Sequence, residues 1–260
     1  MRSYYVAAAK ILVLDIETAP KLAYVWRFFK ENVGAKQVQE HGHMMSFAAK
    51  WLGKKHKYYF ENRGKDEYQL VSEMANLLDE CDIMIAHNAP FDAGTFALRC
   101  VVLGIKPPSP YKIIDTLRES RKAFKIESHA LKYLAIIFKC SDKEEHKEFP
   151  GFELWEQCLL GNPKAWNEMK KYNIQDIDTL EEIYLKMRPW IKGHPNVAIF
   201  GEADHPVCPM CGSVHIHKRG IYKTNVYSYQ RYNCQDCTSW FRGRRNILDK
   251  EVGQHIMMNL

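Results

Sequence analysis

The sequence predicts an α/β fold, a mixed sheet flanked by helices, followed by a small C-terminal β domain. Residues 10–17, "KILVLDIE", form a nearly unbroken run of Leu and β-branched residues, the pattern of a strand buried on both faces. Beyond it come further strand-like runs, and then strands alternate with stretches whose apolar residues recur at helical spacing. Finally, two Cys-x-x-Cys pairs, Cys208/Cys211 and Cys234/Cys237, lie in a short basic segment too small to bury an apolar core.

After the first strand, "MMSFAAKWL" (44–52) and "KHKYYFEN" (55–62) read as neighbouring strands joined by a turn around Gly53 and Lys54. Residues 66–80 space their apolar side chains as a helix does and begin with acids, which the helix dipole favours. "IMIAH" (83–87) is a short buried strand, and 89–104 a helix closed by Gly104. "YKIID" (111–115) is the last strand of the sheet, followed by helices near 116–124 and 128–138. A longer helix runs from Pro163, placed in its first turn, to about Met187. From Arg188 to Pro206 the periodicity stops, punctuated by His194-Pro195 and His205-Pro206. A linker is therefore expected over 191–205, between a domain spanning 1–190 and another spanning 206–260.

The 260 residues are 46% hydrophobic and 26% charged, an ordinary composition for a globular chain. The net charge is +6, and residues 206–260 hold eight Lys or Arg against three Asp or Glu. That segment thus carries most of the excess, which points to a polyanionic partner. No apolar run has the length of a membrane span, so no membrane partner is expected. "MRSYYVAAAKILVLD" has a faint signal-peptide look, but Lys10 interrupts it, Asp15 closes it, and its second half reads better as a strand. Scattered single cysteines beside the two pairs fit buried thiols and a metal site in a cytoplasmic protein, in the host cytoplasm if the chain is viral.

Four carboxylates carry the chemistry. Asp15 and Glu17 are two apart on the first strand and so share a face, where a charged pair within apolar neighbours needs a reason. Asp92 opens a helix just after a strand, a usual place for ligand residues in α/β proteins. Tyr172 and Asp176 are four apart on the long helix and share a face. Singly, each has a bland reading as a solvated strand acid, a helix cap or a surface pair. Together they offer hard oxygen ligands to Mg²⁺ or Mn²⁺, and two such ions are a standard device for phosphodiester hydrolysis. Among their neighbours, Asp178 reads as a surface residue, Asp115 and Asn88 as cap or turn residues, and His87 and His129 as structural.

These segments resemble the three motifs of the DEDD exonuclease superfamily, the DnaQ-like branch of the ribonuclease H fold: "LDIET", "HNAPFD" and "YNIQD". The histidine subfamily places His five residues before the last Asp, where this chain has Lys171; the tyrosine subfamily places Tyr four before it, which is Tyr172. The resemblance covers about residues 10–197 and extends to stand-alone nuclease domains of microbes and their viruses. It implies a 3′-to-5′ exonuclease in which Asp15, Glu17, Asp92 and Asp176 hold two Mg²⁺ or Mn²⁺ ions. By the same resemblance, Tyr172 positions the attacking water and Thr18 lies near the terminal nucleotide.

The cysteine pairs are separated by 22 residues, with Pro209 and Gly212 shaping the first knuckle, a spacing suited to one tetrahedral Zn²⁺. The segment also resembles zinc ribbons of transposases and other nucleic-acid proteins, most closely at "QRYNCQDC". Lys218, Arg219, Arg231, Arg242 and Arg244 interleave with aromatic residues, a composition that can pair with phosphates and stack on unpaired bases. Tyr222 and Tyr232 are expected to pack inside the ribbon, and His215 and His217 are not needed as ligands. The expected partner is nucleic acid, single-stranded 3′ ends first, with a replication or repair protein as a further partner. Two other readings stay open: a nucleic-acid-binding adaptor on a nuclease scaffold, and a structure-selective endonuclease on the same fold.

Overall fold

The computed structural model of the protein describes residues 9–64, 66–141, 148–202 and 205–258. The chain divides into two units, one over Lys10–Tyr184 and the other from Leu185 onward. The first eight residues, where the targeting question arises, lie outside the described residues, and the strand that follows begins at Ile11. Among the described residues no helix is long and apolar enough to cross a membrane.

The first unit is built on β1 (Ile11–Thr18), β2 (Leu22–Ala23), β3 (Val38–Glu40), β4 (Met44–Trp51) and β5 (Tyr58–Glu61). It continues through α1 (Glu67–Asp79), β6 (Ile83–Ala86), α2 (Ala89–Leu103), β7 (Lys112–Asp115) and α3 (Thr116–Ala123). The helices α4 (Leu131–Ile137), α5 (Glu153–Leu159) and α6 (Pro163–Met187) complete it. The main sheet has the order β5-β4-β1-β6-β7. β1 is antiparallel to β4 and β4 to β5, whereas β6 and β7 run parallel to β1, so the sheet is mixed as expected.

β1 lies at the centre because its side chains suit both faces of the sheet. Leu12, Leu14 and Ile16 enter one core with Leu70, Met74 and Leu78 of α1 and Phe96 of α2. A second core brings Met45 of β4 together with Leu154 and Cys158 of α5 and Trp166 and Met169 of α6. Burial of this kind stabilises by about 1.5–3 kcal/mol per large apolar side chain.

Local chemistry sets the element ends. Asp66 caps α1, accepting the backbone N–H of Gln69 at 3.2 Å. Gly104 closes α2 at φ +69°. Asp115 accepts N–H groups from Leu117 (3.0 Å) and Arg118 (3.4 Å) at the start of α3, the cap role its sequence position suggests.

Three features differ from the sequence reading. α4 starts at Leu131 rather than near 128. α5 is an element of its own, too short for helical periodicity to reveal. Between β1 and β4 the chain makes an excursion pinned by the short β2–β3 pair. At its base, the N–H of Ala19 donates to the carbonyl of His43 at 2.8 Å. Gly42 permits this approach, since a Cβ there would stand 2.7 Å from the carbonyl oxygen of Ala19.

The second unit contains short 3₁₀ turns at Arg188–Trp190 and Val197–Phe200, then β8 (Ile216–Lys223), β9 (Ser228–Cys234), β10 (Trp240–Asn246) and α7 (Lys250–Gln254). Its strands form an antiparallel sheet in the order β10-β9-β8. The stretch read as a linker is partly tied to this unit, because Val197 donates its N–H to Pro209 at 2.8 Å.

Gly42→Ala should lower stability by about 1–3 kcal/mol, since the added methyl meets backbone rather than a movable side chain. Urea unfolding of the two proteins checks this, with unchanged midpoints counting against the close-approach role.

Candidate active site and cysteine cluster

Asp15 and Glu17 project from the face of β1 opposite the Leu12–Leu14–Ile16 core. The β1–β4 register shifts here, with Glu17 opposite Ser46 but Thr18 opposite Met44. A bulge at such a point re-aims the strand end, and the half-buried Thr18 is the last residue of β1. From α6, Asp176 joins the pair, and carboxylate oxygens of Asp15, Glu17 and Asp176 lie within 4.8 Å of one another.

The fourth acid does something different. Asp92, in the first turn of α2, is 3% exposed, and its Oδ1 accepts the backbone N–H of Ile16 at 3.3 Å. Its position is thus fixed on the residue between Asp15 and Glu17, but among the described residues the 4.8 Å group contains the other three acids. Burial pushes the Asp92 carboxyl up to about 7, the charge of Asp115 adds to this, and backbone N–H groups oppose it.

Several residues that sequence reasoning missed hold the acids in place. Asn173, fully buried, donates from Nδ2 to Asp15 Oδ2 at 2.7 Å, while its Oδ1 accepts from the Ser46 hydroxyl at 3.1 Å. Trp155 of α5 donates its indole N–H to Glu17 Oε2 at 3.1 Å. Asn173 sits inside "YNIQD" beside Tyr172 and could have been suspected; nothing in the sequence marks Trp155.

Tyr172 lies against Trp155, edge to face, with ring centroids 6.0 Å apart. Burial, the charges of Asp176, Glu17 and Asp15, and a hydrogen bond with Asp176 all raise its phenol pKa. At neutral pH it is therefore a hydroxyl, able to orient a neighbour but not to take its proton.

The orientation of α6 is fixed from the far side of the acids. Lys50 of β4, nearly buried, reaches Asp178 at 3.0 Å and Glu181 at 2.5 Å, and Lys57 also pairs with Asp178. Asp178, read from sequence as a surface residue, is instead part of this latch. His87 pairs with Thr116 at 2.9 Å and His129 with Ser120 at 3.0 Å, both structural roles. Asn88 adopts φ +70° ahead of α2 and donates its N–H to Asp115.

In the second unit, sulfur atoms of Cys208, Cys211, Cys234 and Cys237 lie within 4.8 Å of one another. Cys208–Cys237 and Cys211–Cys234 are each 3.6 Å apart. Each pair is followed by a residue with positive φ, Gly212 (+75°) and Thr238 (+62°), which turns the knuckle back. The contact of Cys211 with Cys208, together with burial, raises the Cys211 thiol pKa, so without a cation this sulfur stays a thiol, and metal binding would release its proton. His215 pairs with Asp236 at 3.2 Å, a role outside the ligand set.

Lys218, Arg219, Arg231, Arg242 and Arg244 are all exposed on the strands of this unit. Two of them are engaged within the sheet. The Arg231 guanidinium lies 5.0 Å from the Trp240 ring and donates to the Arg219 carbonyl. Arg242 lies 3.9 Å from the Tyr229 ring and 5.8 Å from that of Tyr222. Tyr232 stacks on Phe241 as expected of a packing residue, but Tyr222 does not pack inside: it is 45% exposed on the three-stranded sheet.

A mixed α/β sheet with clustered acids at the end of its central strand is a frame that could hold divalent metal ions. A family model described as the RNase H superfamily matches residues 31–188, more than half of the chain, and the chain belongs to that superfamily. The matched span includes Asp92, Tyr172 and Asp176 and begins after Asp15 and Glu17. No curated protein matches the chain. Superfamily membership suggests a nucleic-acid hydrolase using divalent metal ions. The donor sets fit such ions, with hard carboxylates in the first unit and four thiols in the second.

A carboxyl with a higher pKa folded than unfolded binds its proton more tightly in the folded state. In metal-free buffer, stability should therefore fall as pH rises from about 4 to about 7 and level off above. Asp92→Asn should flatten that slope and raise the melting temperature at pH 8 by roughly 3–8 °C. Melting curves across pH check this, and an unchanged slope in the variant would remove Asp92 as its source.

Proposed function

We propose that the protein is a metal-dependent 3′-to-5′ exonuclease of the tyrosine type, acting on DNA or RNA. The nuclease domain is taken to span residues 1–190, joined through 191–205 to a nucleic-acid-gripping zinc ribbon over 206–260. The observation that carries this reading is the convergence of Asp15, Glu17 and Asp176 within 4.8 Å in a chain of the RNase H superfamily, with Tyr172 hydrogen-bonded to Asp176.

In this reading Asp15, Glu17 and Asp176, with Asp92 beside them, hold two Mg²⁺ or Mn²⁺ ions. When bound, such ions supply a nucleophilic water at neutral pH and stabilise charge on the phosphate and on the leaving 3′ oxygen. The residues of the chain do the positioning. Asn173 and Trp155 fix the carboxylate planes of Asp15 and Glu17, so no reorganisation is needed as charge develops. Tyr172, kept protonated by burial and by the acids around it, orients the attacking water by its hydroxyl. Thr18, the last residue of β1, would meet the terminal nucleotide in this reading.

The ribbon contributes charge. Its small core contains the cysteines themselves with Met210, Ile216 and Phe241, so a bound Zn²⁺ would supply much of its folding free energy. Lys218, Arg219 and Arg244, with Arg231 and Arg242 held against rings, would pair with phosphates along a strand.

Matched 3′- and 5′-labelled single- and double-stranded DNA and RNA test the polarity. With Mg²⁺ or Mn²⁺, 5′-labelled strands should shorten stepwise, 3′ labels should leave as mononucleotides, and circular single strands should stay intact. Cleavage of circles would move the reading to an endonuclease. Asp15→Ala should reduce the rate by at least about 10²–10³-fold with the fold intact, and Tyr172→Phe by about 10²-fold. The purified chain should retain one zinc ion, and Cys237→Ser should lose both that ion and strand affinity. Zinc content unaffected by the substitution would remove the four-thiolate site.

A further inference from the structure

The excursion between β1 and β4 carries the most exposed aromatic group in the first unit. Within "YVWRFFK", Tyr24 is 73% exposed, Trp26 94%, Phe28 91% and Phe29 83%. Large rings held in water at this density mark a binding surface.

The segment that bears them is built. The Glu31 carboxylate accepts the backbone N–H groups of Trp26 (2.9 Å) and Arg27 (2.8 Å) and the side-chain amide of Gln37 (2.9 Å). Gln37 also donates to the carbonyl of Tyr24 at 2.9 Å and accepts from the N–H of Gly34 at 2.7 Å. The Gln37 amide, with the Arg27 and Trp26 N–H groups, holds Glu31 below its ordinary carboxylate pKa, so this staple stays charged at neutral pH. The rings are thus presented by an ordered turn, which lowers the entropy cost of using them.

The charge around them selects the partner. Between Ala19 and Gln37 stand Lys21, Arg27, Lys30 and Lys36 against one acid, Glu31, whose carboxylate is occupied by the turn. Aromatic rings alternating with cations suit unstacked bases joined by phosphates rather than an apolar protein face. The excursion also leaves β1 directly after Glu17 and Thr18. Trp26 lies eight residues beyond Thr18, which bounds their separation at about 28 Å, the reach of a few nucleotides.

We propose that Trp26, Phe28 and Phe29, with Arg27 and Lys30, form a stacking platform for single-stranded nucleic acid leading into the carboxylate site. This rests on the nuclease reading for its direction but is tested apart from it. Binding of a fluorescein-labelled 20-nucleotide oligothymidylate is measured by anisotropy in the Asp15→Ala background, where no cleavage is needed.

Replacing Trp26, Phe28 and Phe29 together with Ala should weaken binding by about 10²-fold or more, whereas Trp26→Phe alone should stay within about threefold. Replacing Arg27 and Lys30 with Gln should reduce the slope of log affinity against log salt by about 1.4. In the Asp15 background, triple-variant affinity within twofold of the parent overturns the proposal and reassigns the patch to a protein partner. With Asp15 restored, the triple variant should hydrolyse thymidine 5′-monophosphate p-nitrophenyl ester at the parent rate while losing activity on the oligonucleotide. Equal loss on both substrates also overturns the platform. A parent that cleaves neither overturns the nuclease reading and leaves the binding result standing.

Discussion

Three carboxylates within 4.8 Å are the constraint around which the first unit is arranged. At an effective dielectric near 20, each pair of full charges at that spacing repels by about 3–4 kcal/mol. A charge-assisted hydrogen bond returns about 1.5–3 kcal/mol, so the donors from Asn173 and Trp155 position the acids without neutralising them. A divalent cation is the economical remedy, and oxygen donors on a rigid strand and helix select a hard one. The proton held by Asp92 up to about pH 7 is a local version of the same problem, solved by protonation where burial is deepest.

The fold keeps the acids together against that repulsion from several directions. β1 is locked by strands on both sides and by the Leu12–Leu14–Ile16 face in the core. The Asp92 carboxylate fixes the backbone of Ile16, between the two strand acids. α6 is latched by Lys50 on Asp178 and Glu181, two and five residues beyond Asp176, and packs Trp166 and Met169 on the turns before it. The Ser46–Asn173–Asp15 chain then ties β4, α6 and β1 into one hydrogen-bonded unit. Polar residues placed inside an otherwise apolar layer are costly unless each is satisfied, and here they satisfy one another.

Much of this was legible in the sequence, for identifiable reasons. β1 shows as a nearly unbroken apolar run because a central strand is buried on both faces, and α1 shows because one amphipathic face and acids at its start repeat a known pattern. Asp15 and Glu17 are marked by being acids where their neighbours are apolar, and Asp176 by standing four residues after Tyr172 on the long helix. Residues whose role depends on tertiary contact were not legible. Trp155 looks like any core Trp until α5, a two-turn helix, brings its indole to Glu17. Asp178 looks solvated until Lys50 and Lys57 meet it. Tyr222 alternates with its neighbours as a buried residue would, yet a single three-stranded sheet leaves its ring exposed beneath Arg242. The distinct position of Asp92 follows from a backbone hydrogen bond that no spacing rule predicts.

The cysteine unit poses a different physical problem, since its sheet has a small core built on the four cysteines, a donor set that fits a structural rather than a catalytic metal. The carboxylate site is where the account stands or falls, and cation binding tests it without recourse to any substrate. Titration of Mn²⁺, followed by the loss of its free-ion paramagnetic resonance signal, should show saturable binding to the wild-type chain. That binding should be abolished or greatly weakened by Asp15→Ala while zinc content is unchanged. Equal Mn²⁺ binding by the two proteins, or none by either, would contradict the claim that these acids form a divalent-cation site.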